Sequence, residues 1–318
     1  MALPASFEGK LKIPAVAAPM FLVSTPQLVI EACRAGVVGT FPALNQRTSE
    51  GFEQWLDEIQ STLATASIDT PFGVNLIVHR SNPRLQADLE ICVNRKVPLI
   101  ITSLGAVTEL VNAVHDYGGV VFHDVIKIRH AKKAAAAGVD GLIAVCAGAG
   151  GHAGLINPLA LVQEIREFFA GTILLSGAIS NGAQIAAAQA MGADLAYLGT
   201  RFINSLESSA PDEFQQMVTA GHADDIVYTA AISGVHGKFI RQSLEKNGFD
   251  IDALTGMGGK ADLKGVSEEA KVWKTVWSAG QGVGGIDDIL PTAELCARLK
   301  VEYFAAVRAL TILSDTYK

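Results

Sequence analysis

The sequence predicts an α/β protein: a (β/α)8 TIM barrel with an inserted smaller, mainly helical domain. Three observations carry this. Short apolar runs alternate with longer helical stretches eight times over roughly the first 200 residues. The runs are apolar throughout rather than every second residue, as parallel strands covered on both faces are. Helical stretches end in Ala35-Gly36, Ala137-Gly138 and Met191-Gly192, and glycine just past a helix end is the common stop signal.

In order, the strands are Ile13–Ala18, Val37–Phe41, Phe72–Leu76, Pro98–Thr102, Val120–His123, Gly141–Val145, Thr172–Leu175 and Leu195–Leu198. The helices between them are Pro26–Ala35, Ser49–Ala66, Pro83–Arg95, Val107–Tyr117, Arg129–Ala137, Pro158–Phe169 and Gly182–Met191. Eight units suit a closed barrel. A doubly wound open sheet would carry a glycine fingerprint after its first strand, and Pro19-Met20-Phe21 stands there instead. The pattern changes after residue 207, which divides the chain into a barrel (1–207), a helical lid or substrate domain (208–265) and C-terminal helices that return to the barrel (266–318). The second of these carries Gly256-Met257-Gly258-Gly259-Lys260.

Composition bounds the function. The chain has 318 residues, 49% hydrophobic and 18% charged, with a formal net charge of −7. That supports a large core and argues against nucleic acid, which selects basic clusters. No apolar run reaches the length of a membrane span, and Met1–Lys12 lacks the pattern of a signal peptide. The four cysteines, Cys33, Cys92, Cys146 and Cys296, are scattered. They read as reduced thiols of a cytoplasmic protein, with no metal-ligand spacing.

A barrel of this kind works at the C-terminal ends of its strands. Those ends hold Ala18-Pro19-Met20, Asn75, Thr102-Ser103, His123-Asp124, Gly148–His152, Ser176-Gly177-Ala178 and Gly199-Thr200-Arg201. The loop Ala147-Gly148-Ala149-Gly150-Gly151-His152-Ala153-Gly154 is the most informative of them. Its glycines let backbone come close to a flat or anionic ligand, and His152 can exchange a proton near neutral pH. The turns after the seventh and eighth strands form a candidate phosphate cradle. Arg201 is its cation, or else the partner of a carboxylate such as Glu207. Asn75 reads as a turn cap or a ligand amide, Met20 as core or as the support of an aromatic ring, and His123 as packing or function. Arg129–Lys133 reads as a solvated helix face, and His79, His130 and His236 receive no functional role.

These segments resemble the nitronate monooxygenase family, formerly the 2-nitropropane dioxygenases. The resemblance runs through Ala18-Pro19-Met20 with Val23–Pro26, Phe72–Leu76, Ala149–Gly154, Leu175–Ile179, Leu198–Phe202 and Trp277–Gly282. It departs from the family at Val145, Gly148 and Asp124. The resemblance implies FMN held without a covalent bond by Pro19, Met20, Asn75, Asp124, Ala149, Gly150, Gly151, Ser176, Gly177, Ala178, Gly199, Thr200 and Gln281. It makes His152 the catalytic residue. It implies oxidation of alkyl nitronates, or nitroalkanes, by O2 to a carbonyl compound and nitrite. The alternative on the same barrel is an NAD(P)H-dependent FMN reductase, of the enoyl-acyl-carrier-protein reductase or quinone reductase type. The sequence leaves open a homodimer.

Overall fold

The computed structural model describes residues 2–232, 234–255 and 275–317. Eight parallel strands close into a barrel. They are β1 (Ala15–Ala17), β2 (Val38–Pro42), β3 (Gly73–Ile77), β4 (Leu99–Ser103), β5 (Val120–Val125), β6 (Gly141–Val145), β8 (Thr172–Ser176) and β9 (Leu195–Leu198). Closure is made where β1 pairs with both β2 and β9, Val16 standing beside Val38 on one side and Tyr197 on the other. Each predicted strand is present, and the first is trimmed to three residues.

Alternate strand residues face two different apolar layers. Val16, Val38, Leu99, Ile101, Phe122, Ile143, Leu174 and Leu195 fill the barrel interior. Ala15, Ala17, Ile100, Val121, Leu142 and Ile173 pack outward against the helices. Burial on both faces is why the strands read as unbroken apolar runs. Phe7 plugs the N-terminal end of the barrel, its ring 5.8 Å from that of Phe122.

The helices around the barrel are α1 (Pro26–Arg34), α2 (Ser49–Thr65), α3 (Leu85–Asn94), α4 (Thr108–His115), α5 (Ile128–Ala136), α6 (Pro158–Arg166), α7 (Gly182–Ala190) and the short α8 (Thr200–Ile203). Their ends carry the expected signals. Thr25, Thr48, Asn157 and Asn181 accept from backbone N–H groups of their first turns. Gly36, Gly138 and Gly192 follow with positive φ.

The segment after residue 207 holds α9 (Asp212–Ala220), β10 (Ile226–Thr229), β11 (Gly237–Ile240), α10 (Arg241–Lys246) and α11 (Ile251–Thr255). The hairpin β10–β11 adds strand structure to a stretch read from sequence as helical. β11 also pairs antiparallel with β7 (Gly151–His152), a two-residue strand of the glycine loop. The segment packs onto the barrel through Phe214, Val218 and Ile240, which meet Val23, Ile203 and Trp277. The Phe214 and Trp277 rings stack at 5.2 Å. Gly256–Lys260 lies outside the described residues. The chain ends in α12 (Thr292–Asp315), which buries Leu295, Cys296 and Leu299 in the layer outside the barrel. No helix among the described residues is long and apolar enough to cross a membrane.

Candidate active site

A cavity of about 1920 Å³ opens at the C-terminal ends of the strands. Its lining brings together Pro19, Met20, Asn75, Asp124, Ala149, Gly150, Gly151, His152, Ser176, Gly177, Ala178, Gly199 and Thr200. Gln281 is the exception among the expected ligands. Its side chain is exposed and outside the lining, and its backbone N–H donates to Gly148 O at 2.8 Å. Ser278, Ala279 and Gly282 of the same stretch reach the cavity instead.

The glycine loop is braced from behind. Gly148 O also accepts from Ala178 N, at 3.2 Å. Gly151 N donates to Ser278 Oγ at 2.8 Å, and that hydroxyl donates to Lys238 O. A Cβ on Gly150 would come within 2.8 Å of Gly280 N, so close backbone packing demands glycine there. Gly151 lies at φ +66°, with nothing within 4 Å of where a Cβ would point. Thr200 Oγ1 accepts from Gly280 N at 2.9 Å, tying the cradle to this brace.

His152 follows Gly151 on β7, beside Gly237 of β11. It lines the cavity and retains exposed surface there. The surrounding protein still holds its imidazole below the ordinary histidine range through desolvation. It is therefore a neutral base at pH 7.

The floor carries a polar chain. Asn75, 6% exposed, donates from Nδ2 to Ser103 Oγ at 2.8 Å and to Ile101 O at 3.2 Å. Ser103 donates to Asp124 Oδ2 at 2.5 Å. Asp124 Oδ1 is buried without a hydrogen-bond partner among the described residues. Burial raises the Asp124 pKa to about 6, against the Ser103 bond. Tyr197, also on the lining, is raised well above the ordinary phenol by burial and then by Asp124. His123 sits with Nδ1 2.7 Å from Thr102 Oγ1, and burial pushes it down to about 4. It is a neutral ring, 6% exposed, on the lining of the cavity.

Arg201 is not the cradle's cation. It is 3% exposed, lies off the cavity lining and pairs with Asp288 at 2.6 Å. Glu207, the carboxylate considered for it, accepts instead from Thr292 N and Oγ1. The cradle therefore offers backbone, Ser176 and Thr200 in place of a guanidinium.

Sequence reasoning passed over several lining residues. His79, His130, Lys133 and His236 all face the cavity. The helical period of Arg129–Lys133 showed a charged face, but not that the face looks over the mouth. Lys238 is 4% exposed, and its Nζ has no partner among the described residues. Burial brings its pKa down to about 8.

A family profile described as nitronate monooxygenase matches residues 7–302. The chain belongs to the nitronate monooxygenase family. It is accordingly an oxidoreductase enzyme. A nitronate monooxygenase of Paraburkholderia phytofirmans is 26% identical over 93% of this chain and 94% of its own length. Nitroalkane oxidase from Streptomyces ansochromogenes superposes with a TM-score of 0.81 at 25% identity, over 96% of this chain and all of its own. The enoyl reductase domain of MlnA from Bacillus amyloliquefaciens gives 0.75 at 13% identity, over 98% of this chain and 99% of its own, a likeness of fold alone. One barrel thus serves different reactions, and the chemistry has to be argued from the site.

Proposed function

We propose that this nitronate monooxygenase family member uses FMN to oxidise alkyl nitronates, and neutral nitroalkanes once deprotonated, with O2 to a carbonyl compound and nitrite. One observation carries the reading: a neutral histidine, His152, opens into the same cavity as the turns after the seventh and eighth barrel strands.

The residues present fit FMN. The cavity lining is small-residue backbone at both turns, and a Cβ on Gly199 would make only ordinary contacts, with Ala18 at 3.7 Å and Met20 at 3.9 Å. Ser176, Gly177, Ala178, Gly199 and Thr200 would hold the phosphate. Met20 and Asn75 would meet the ring, and Asp124 Oδ1 would accept the hydrogen bond it lacks. Bound FMN supplies the electron transfer between substrate and oxygen; the protein supplies binding, orientation and charge. His152 hydrogen-bonds the nitro group of a nitronate. With a neutral nitroalkane it removes the α-proton, for which an unprotonated imidazole is required.

The test is an absorbance scan of the purified protein and of the material it releases on denaturation, followed by nitrite assay with alkyl nitronates. A colourless protein removes the flavin reading. A yellow protein that forms no nitrite, and whose flavin bleaches rapidly with NADH under anaerobic conditions, is a reductase.

A further inference from the structure

The cavity is larger than a typical small-molecule site. Small-molecule sites commonly fall at about 300–1000 Å³, and this one is about 1920 Å³. In a ring of eight strands, the seventh and eighth stand across from the third and fourth. The far side of the mouth is where Arg47, His79, Lys127, His130 and Lys133 line the cavity, on segments that follow β2, β3 and β5.

This side is electrostatically unbalanced. Among the described residues lining the cavity, Asp124 is the single carboxylate, and it lies on the floor. Among the described residues Arg47, Lys127 and Lys133 form no ion pair, whereas nearby Arg84 is committed to Asp88 at 3.0 Å. Burial lowers the His130 pKa, and Arg129, Lys127 and Lys133 lower it further. A chain of net charge −7 has gathered uncompensated cations around one side of a concave wall, where fields focus on an anion. Leu44, Ile77, Leu104 and Ala106 supply apolar lining on the same side.

We propose that this arm is an anion subsite for an organic diphosphate, the tail of a larger substrate or co-substrate whose reacting end lies at His152. Cations spread over two loops and the first turns of α5 suit two linked phosphates better than one carboxylate. The chemistry is shared by nicotinamide dinucleotides and by CoA thioesters. Only the placement of the reacting end rests on the flavin reading above; the subsite itself does not.

The test is calorimetric titration of the purified protein with ADP and with adenosine, at low and at high salt. ADP should bind about tenfold or more tighter than adenosine, and more weakly as salt rises. Exchanging Lys127→Glu with Lys133→Glu should weaken ADP about tenfold or more, with flavin content and melting temperature unchanged. Lys127→Gln with Lys133→Gln should give a smaller loss in the same direction. Equal binding of ADP and adenosine, or unaltered ADP binding by the charge-reversed protein, overturns the proposal. Two further arms assign the source. Anaerobic bleaching by NADH that ADP inhibits makes the tail that of a reductant; competition of CoA with ADP without bleaching makes it that of a substrate. Absence of nitrite with ADP binding intact would defeat the nitronate reading and leave the subsite standing.

Discussion

The Ser103 hydroxyl donates a hydrogen bond to Asp124 Oδ2 at 2.5 Å, yet the other oxygen of that carboxylate is buried with no partner among the described residues. One good hydrogen bond does not offset the desolvation, and the pKa rises to about 6. The folded flavin-free protein therefore binds the proton more tightly than the unfolded chain, whose aspartate titrates near the ordinary value of about 3.9. Stability from this group is full below about pH 4 and is lost as pH rises through 6.

Asp124→Asn should consequently raise the melting temperature of the flavin-free protein more at pH 7 than at pH 4. Thermal melts at the two pH values check this. Equal increments would mean that Asp124 is solvated after all.

His152→Asn should lower turnover with neutral nitroalkanes by about 10²–10⁴-fold, the span assigned to a positioned general base. The visible spectrum of the bound flavin should not change. Because His152 is held below the ordinary imidazole value, the parent's rate with nitroalkanes should decline only on the acid side of about pH 6.5. A rate profile with no acid limb would remove His152 as the base.

Two glycines should respond in opposite ways. Gly199 has an ordinary φ of −102°, and an added Cβ would make only ordinary contacts with Ala18 and Met20, so Gly199→Ala should fold and melt like the parent but retain less flavin. Gly150→Ala places a methyl against the backbone of Ala279 and Gly280, an overpacking cost of about 1–3 kcal/mol. Its melting temperature should fall whether or not flavin is present. Absorbance ratios and melting curves on both variants separate the two effects.

Lys238 carries a buried ammonium without a hydrogen-bond partner among the described residues, and its pKa is lowered to about 8 against an ordinary value of about 10.4. Between those values the unfolded chain binds more protons than the fold, so the penalty shrinks as pH rises. Lys238→Met should stabilise the protein at pH 7, and the gain should diminish toward pH 10. A gain independent of pH would assign the effect to packing alone.

The barrel was legible because its signals are local. Strands buried on both faces leave unbroken apolar runs, and Gly36, Gly138 and Gly192 mark helix ends in the chain itself. The floor and cradle were legible for a related reason: residues at successive strand ends must share one rim. What escaped notice depends on distant partners. Arg201 is neutralised by Asp288, which no spacing rule connects to it. β7 exists because β11 lies beside it, and two residues carry no strand pattern of their own. His130 and Lys133 stand three residues apart as on any solvated helix face, and only the place of α5 beside the mouth brings them to the cavity lining.

The bond between β11 and β7 has a consequence for how this protein could be reduced or rebuilt. On the proposed function, the turns that would seat a flavin's tail follow the last two barrel strands, whereas the strand paired beside His152 is lent by chain far downstream. Disrupting the pairing of β11 with β7 would then disturb the proposed base while leaving those turns in place. Colour and turnover are the two readouts that one such substitution would pull apart.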